Sequence, residues 1–355
     1  MTADLIDTRE RYAGPNALSH RRQIGVWLLF VALLVFCMVA IGGYTRLTNS
    51  GLSMVDWRPA TGWLPPLTET AWQQAFDDYR QFPEYQKINR GMSMAEFQSI
   101  YLVEYAHRLF GRGLGLAFGL PFLFFLLTRR LDRPLTIRLT LLLLLGAGQG
   151  ALGWFMVKSG LVDRPDVSHY RLTAHLGLAV VIFGLLLWTA FQLLIKPQPV
   201  AAPGLRRWAW IFAALVFVQI LAGGLVAGLN AGLAYNSFPT MNGQWIPDGI
   251  LAMQPAWLNV FENATTVQFN HRIIAYLLIA VAAFLWWQVQ RASLGRGAQV
   301  ALYLLLAALA AQVILGIATL LAMVPVSLGV IHQVGALVVF AAALHFVYRL
   351  AATRP

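Results

Sequence analysis

The chain has 355 residues, of which 58% are hydrophobic and 12% charged, with a mean hydropathy of +0.63, well above what an ordinary soluble domain needs to cover its core. A net charge of +11 would point to nucleic acid in a soluble protein, but the basic residues gather in the connections between apolar stretches, which excludes that reading. The single cysteine, Cys37, lies within the first apolar stretch, so an intramolecular disulfide and a paired-cysteine metal site are excluded.

Residues 1–23 form a polar, basic tail. The apolar run that follows is too long for a signal-peptide core and no clear small-residue cleavage site follows it, so it reads as a retained first span. Crossing ~30 Å of hydrocarbon takes roughly 20 apolar residues at ~1.5 Å each. Eight segments qualify, near 24–44, 104–127, 137–157, 172–194, 208–229, 267–288, 298–323 and 328–348. Continuous rather than alternating apolar runs favour helices over a barrel. The expected fold is all-α, an integral membrane protein with eight transmembrane helices in two pseudo-symmetric four-helix bundles.

Between spans one and two lies a long loop, 45–103, rich in aromatic residues: Trp57, Trp63, Trp72, Phe76, Tyr79, Phe82 and Tyr85. It reads either as a cap over a hydrophobic ligand or as an interfacial layer. Thr70-x-x-Gln73 and Ser93-x-x-Glu96 have the form of capping boxes, and the second predicts that helix two begins near Met94. Residues 195–207, IKPQPVAAPGLRR, break helix with three prolines and a glycine, and divide a unit at 24–194 from one at 208–355. Fifteen basic residues fall in the tail and the connections after even spans, Arg9, Arg11 and Arg354 among them; eight, including Arg58 and Arg164, fall on the other side. The positive-inside rule then places both termini in the cytoplasm.

The second half repeats the first. IGGYTRLTNSGL carries Gly42, Gly43, Asn49, Gly51 and Leu52, and AGGLVAGLNAGL carries Gly223, Gly224, Asn230, Gly232 and Leu233, each 181 residues later. Gln149 and Gly153 match Gln312 and Gly316 at an offset of 163, and His107 matches His271 at 164. His175 matches His332 at 157. This is a tandem repeat of four-helix units in the same orientation.

Those four histidines open the second, fourth, sixth and eighth spans. One buried histidine is ordinarily a satisfied core residue. Two per repeat at corresponding depths instead provide paired imidazoles facing across a bundle, the geometry of bis-histidine heme ligation. A non-heme metal fits less well, because neither pair has a carboxylate or cysteine cluster beside it. Arg46, Arg108, Arg112 and Arg272 stand near the same end of the spans, where they could bind heme propionates or snorkel to lipid headgroups. Glu104 precedes His107 by three residues, whereas Gln268 precedes His271 by three. A carboxylate in low dielectric could exchange protons or stabilise developing positive charge, or simply pair with Arg108 or Arg112. The N-terminal pocket therefore reads as reactive and the C-terminal one as passive. His20, His169 and His345 have no counterpart in the other half and read as ordinary residues.

The chain resembles the heme A synthase family, in particular its alphaproteobacterial and mitochondrial kind. The resemblance covers nearly the whole chain, through GGYTRLTNSGLSMVDWRPATGWLPP, EYAHRLFGRGLG, GALGWFMVKSGL, SHYRLTAHLGLA and FNHR. It implies a resident heme b between His271 and His332, and the substrate heme O between His107 and His175. Glu104 then stands at the family's catalytic carboxylate position. The implied oxidoreductase reaction converts a ring methyl of heme O, through an alcohol and a hydrated aldehyde, to the formyl group of heme A for cytochrome oxidase. With the termini cytoplasmic, the four histidines open their spans from the outer side, which is the periplasmic face of a bacterial inner membrane, and the resemblance further implies homo-oligomerisation and contact with heme O synthase, with an electron donor of unstated kind. Some relatives carry an outer-loop cysteine pair, which this chain lacks. The competing readings are a two-heme cytochrome b that only transfers electrons, and a heme carrier.

Overall fold

The computed structural model describes residues 15–57, 61–162, 165–196, 202–292 and 294–350. Residues 1–14 of the expected tail, 197–201 of the expected linker, and Arg9, Arg11, Arg58, Arg164 and Arg354 of the charge count lie outside the described residues. In chain order the α-helices are α1 (Pro15–Leu47), α2 (Glu69–Arg80), α3 (Pro83–Lys87), α4 (Met94–Leu127), α5 (Arg133–Gly160), α6 (His169–Leu194), α7 (Pro203–Gly228), α8 (Asn259–Glu262), α9 (Ala264–Arg291), α10 (Arg296–Leu321) and α11 (Val326–Arg349). No strand occurs among the described residues. Eight of these helices, α1, α4, α5, α6, α7, α9, α10 and α11, are long and apolar enough to cross a membrane. This is a multi-pass membrane protein.

The helices begin where local chemistry satisfies their first amide groups. Ser93 Oγ accepts from the Glu96 amide at 3.3 Å and Glu96 Oε2 accepts from the Ser93 amide at 2.8 Å, so α4 starts at Met94 as its capping box predicts. The other expected box is displaced. Thr68, not Thr70, caps α2, accepting from the Ala71 amide at 3.2 Å. Ala71 has no side chain to reach back, so that cap is one-sided. His169, read from sequence as a loop residue, opens α6.

Four helices make the centre. α1 packs on α4, α6 and α11; α6 also packs on α5, α7 and α11; α7 packs on α9 and α11, and α10 on α11. Between apolar helices in lipid, close approach rather than the hydrophobic effect supplies the attraction, and small residues permit it. A Cβ on Gly184 would lie 3.0 Å from the Phe340 ring, and one on Gly43 would run into the Gln333 carboxamide, which donates to the Val39 carbonyl at 3.2 Å. One continuous core results, with Leu28, Phe212, Leu285, Leu302 and Phe346 fully buried. Leu120, Leu127, Leu144 and Ile314 point outward, as lipid-facing residues do.

The long loop has a core of its own. Phe76, Tyr79 and Phe97 are buried together, with Trp72 and Tyr85 packed against them, and Phe76 stacks on Phe97 at 4.8 Å. Most of the loop's aromatic residues thus hold the loop together. Trp57 and Trp63 stay exposed, the former against Trp154 at 5.3 Å.

Glu84, only 4% exposed, accepts from Tyr79 Oη at 3.0 Å, and Tyr79 Oη accepts from Asn89 Nδ2 at 2.8 Å. Burial pushes the Glu84 carboxyl up to about 7, partly offset by the Tyr79 bond and assisted by the negative charge of Glu104. An acid whose pKa is raised by folding stabilises the fold fully below its ordinary value, and that contribution is lost as pH rises through 7. Limited proteolysis of the loop should therefore run several-fold faster at pH 8.5 than at pH 5.5. Glu84→Gln should remove most of that difference.

Candidate functional site

The four histidines share one local design. Each stands on an even-numbered span and lays its ring against a glycine of the span before it. A Cβ on Gly42 would lie 3.2 Å from His107 Cε1, on Gly153 2.9 Å from His175, on Gly223 3.3 Å from His271, and on Gly316 2.7 Å from His332. At Gly153 and Gly316 a side chain would force the ring to shift, and at Gly42 and Gly223 it would crowd the ring more closely than most side chains are crowded. His107 lies within electrostatic range of His175, and His271 within range of His332. Among the described residues no three His, Cys, Asp or Glu side chains gather as a metal cage. The Nδ1 atoms of His175 and His271 are buried without a hydrogen-bond partner.

Three of the rings are held by a carboxamide from the neighbouring helix. Gln149 Nε2 donates to the His175 carbonyl at 2.9 Å and sits 3.4 Å from Nε2 of its ring. Gln219 Nε2 donates to the His271 carbonyl at 3.0 Å and sits 3.2 Å from the ring. Gln312 Nε2 donates to the His332 carbonyl at 2.8 Å and sits 3.1 Å from the ring. Each carboxamide spans main chain and imidazole, which fixes the helix and the ring together. His107 differs. Its Nδ1 has only the Thr45 hydroxyl, at 3.4 Å, and that hydroxyl donates to the Ile41 carbonyl at 2.9 Å.

On the loop side of each half an arginine fastens the loop to the second helix of its unit. Arg108 donates to the carbonyls of Met54 and Asp56, both at 2.7 Å, and Arg272 to those of Tyr235 at 3.1 Å, Ser237 at 3.0 Å and Thr240 at 3.2 Å. Met54 and Tyr235 are themselves 181 residues apart, so the fastening is part of the repeat. Arg46 joins the halves, donating to the Ala227 carbonyl at 3.2 Å and to Asn230 and Asn49, both at 3.3 Å, with Asp166 at 3.7 Å. Arg112 extends toward the exposed Trp63 ring, 6.0 Å away. The guanidinium groups of Arg46, Arg108 and Arg272 are thus engaged with the chain's own oxygens.

The carboxylate is where the two fastenings part. Glu104, 3% exposed, receives Arg108 Nη2 at 2.6 Å and Nε at 3.1 Å on one oxygen, and Ser53 Oγ at 2.7 Å and the Met54 amide at 2.8 Å on the other. Four donors and no acceptor surround it, which suits an ionised, acceptor-only carboxylate. Gln268 in the other half donates to the Tyr235 carbonyl at 3.0 Å, and its own Oε1 is buried without a partner.

Sequence reasoning missed Ser53, Thr45, Met38 and Gln219. The repeat itself carried the signal: at the same offset of 181 residues, Ser53 faces Ala234, Thr45 faces Val226 and Met38 faces Gln219. Ordinary polar residues at unequal places in two halves look like drift until geometry shows what they touch.

The model of the COX15-CtaA family, described as cytochrome oxidase assembly protein, matches residues 25–344. The chain is 51% identical over 333 residues to a Parvibaculum lavamentivorans protein named heme A synthase, covering 94% of this chain and 96% of that one. It is 49% identical over 328 residues to a Nitrosospira multiformis protein of the same name, at 91% and 92% coverage. A further protein of that name, from Wolbachia pipientis of Culex pipiens, is 47% identical over 326 residues, at 91% and 96% coverage.

Removing one member of a buried ion pair leaves the other charge uncompensated, at about 3–5 kcal/mol. Arg108→Ala should therefore destabilise the detergent-solubilised protein by that order. Adding Glu104→Gln should restore part of the loss, read as a coupling between the two substitutions in unfolding measurements.

Proposed function

The chain belongs to the COX15-CtaA family of cytochrome oxidase assembly proteins, and on that premise we propose that it is an oxidoreductase that converts a ring methyl of heme O to the formyl group of heme A. The names of its relatives support the activity. The asymmetry of the two halves supports the assignment of roles.

We read residues 24–194 as the substrate unit and 208–355 as the resident-cofactor unit. His271 and His332 would hold heme b, and the site fits that group on two observations. The donor set is two imidazoles without a carboxylate, which suits a macrocycle that supplies its own four nitrogens. One ring nitrogen of His271 is buried without a partner, an arrangement that costs about 1–3 kcal/mol unless something bonds it. When bound, heme b supplies one-electron redox chemistry. Gln219 and Gln312 orient its two imidazoles, and Gln268 adds no charge.

His107 and His175 would hold the substrate, heme O. Glu104 then acts beside it as a fixed negative charge. The four donors around Glu104 keep its oxygens in place, so its field needs no reorganisation when positive charge develops on the substrate during oxidation. Proton exchange is the weaker of its two readings, since no oxygen of the carboxylate is left without a donor. Arg108 holds both Glu104 and the loop that covers it. Arg46, Arg108, Arg112 and Arg272 are the arginines proposed for the propionates, and Arg112 extends toward Trp63.

The basic residues after even spans support cytoplasmic termini, with the heme sites toward the periplasmic face of a bacterial inner membrane. Membrane lipid surrounds the spans. An electron donor, self-association and contact with heme O synthase complete the proposed partners.

The observation that carries the assignment of halves is the Glu104–Gln268 difference on an otherwise duplicated arginine fastening. Expression with a heme O source and chromatography of extracted hemes tests it. The wild type should yield heme A together with heme b. Glu104→Gln should retain both bound hemes and form heme A about a hundredfold more slowly, the order expected for loss of a preorganised charge. Undiminished heme A formation by that variant would overturn the role of Glu104. Heme b with unchanged heme O in the wild type would overturn the activity and leave the electron-transfer or carrier readings.

A further inference from the structure

A substrate heme must enter and leave once per turnover, whereas a resident heme must stay. The pairs that the preceding reading assigns to these roles share their glycine packing, so packing does not distinguish them. Their hydrogen-bonded supports do.

We propose that His107 is the releasable ligand of the substrate pair, and that Met38, standing where the repeat has Gln219, is the residue that makes it so. At three of the four histidines a carboxamide donates to the histidine carbonyl and stands 3.1–3.4 Å from the ring. The fourth lacks this because Met38 occupies the corresponding place on α1. Gln219 precedes Gly223 by four residues, as Met38 precedes Gly42. The Met38 methyl lies 3.4 Å from where a Cβ on Gly111 would sit, one turn beyond His107, so its side chain reaches the region from which a carboxamide would bond. A thioether has no N–H to donate to the His107 carbonyl and is only a weak acceptor.

Thr45 takes up part of the role. Its hydroxyl stands 3.4 Å from His107 Nδ1, at the long limit of a hydrogen bond, and touches the ring without touching the His107 main chain. Val226 occupies the matching place in the other half. Of the four, His107 is the one whose ring contact does not also bond its own main-chain carbonyl. His175, held by Gln149, stays in place as the partner. Both rings of the substrate pair have a neighbouring contact at 3.4 Å, but only at His175 does the contacting group also bond the histidine carbonyl, as it does at both rings of the resident pair. Groups that orient a ligand histidine typically change metal affinity by 10–100-fold.

The exchange of Met38 and Gln219 between the halves tests this. Purified protein carrying both hemes is mixed with excess apomyoglobin, and heme O and heme b lost to it are followed separately by chromatography. In the wild type heme O should leave at least about tenfold faster than heme b. Met38→Gln should slow heme O loss about tenfold and leave heme b loss unchanged. Gln219→Met should speed heme b loss by a similar factor and leave heme O loss unchanged. Thr45→Val, a smaller change on the same helix, should speed heme O loss and raise the fraction of ferrous heme O that binds carbon monoxide. Equal release of the two hemes in the wild type, or Met38→Gln with unaltered heme O release, would overturn the proposal. If Met38→Gln does not accumulate as folded protein, unaltered heme O release in Thr45→Val would overturn it. Failure of the underlying assignment reads differently: His107→Ala would then lose heme b instead of heme O.

Discussion

A polar ring placed in hydrocarbon has no water to fall back on, so every imidazole in these bundles must be supported by a neighbouring helix at close range. That requirement organises the rest of the molecule. It demands a glycine on the adjacent span, because the ring needs the room a side chain would fill. It also demands a donor on that span, because the ring nitrogens and the crowded main chain need partners. Gly153 and Gln149 meet the two demands for His175 from one face of α5, four residues apart, and Gly316 and Gln312 do the same for His332 from α10. The helix pairs are close because the site requires it.

The same constraint explains the loop side of the molecule. Arg108 and Arg272 lie where their helices emerge, and each turns its donors onto loop carbonyls instead of leaving them to lipid. Each loop is thereby fixed over the end of its bundle. With that scaffold duplicated, the two halves differ in charge at one matching position. Glu104 has the donors of Ser53 and Met54 in addition to Arg108, while Gln268 keeps a carbonyl contact alone. Duplication supplied two equivalent histidine sites, and local polar changes gave them different surroundings.

Between the halves the contacts are of another kind. α1, α6, α7 and α11 meet through small residues and large apolar ones, with Arg46 and Gln333 adding hydrogen bonds across the junction. Arg46 reaches the end of α7 at Ala227 and Asn230, next to the loop that the other half's arginine fastens. The two sites are therefore held at a set separation, a condition for any electron exchange between them.

Much of this was legible in the chain itself. Eight spans, the long capped helix beginning at Met94, the repeat with its shrinking offsets, and the four histidines and Glu104 as the residues of interest all follow from hydropathy, spacing and self-similarity. These are properties carried by residues near one another in sequence, or by identities between halves. Tertiary structure alone decided what the polar residues touch. Arg46, Arg108 and Arg272 also bond carbonyls, up to 181 residues away, which no local pattern encodes. Trp72, Phe76 and Tyr79 read as a ligand cap or an interfacial layer and instead fill a small core under their own loop. Met38 carried no signal as a lone apolar residue in an apolar helix. Its position became readable only when the packing of α1 on α4 set its methyl against Gly111, one turn beyond His107.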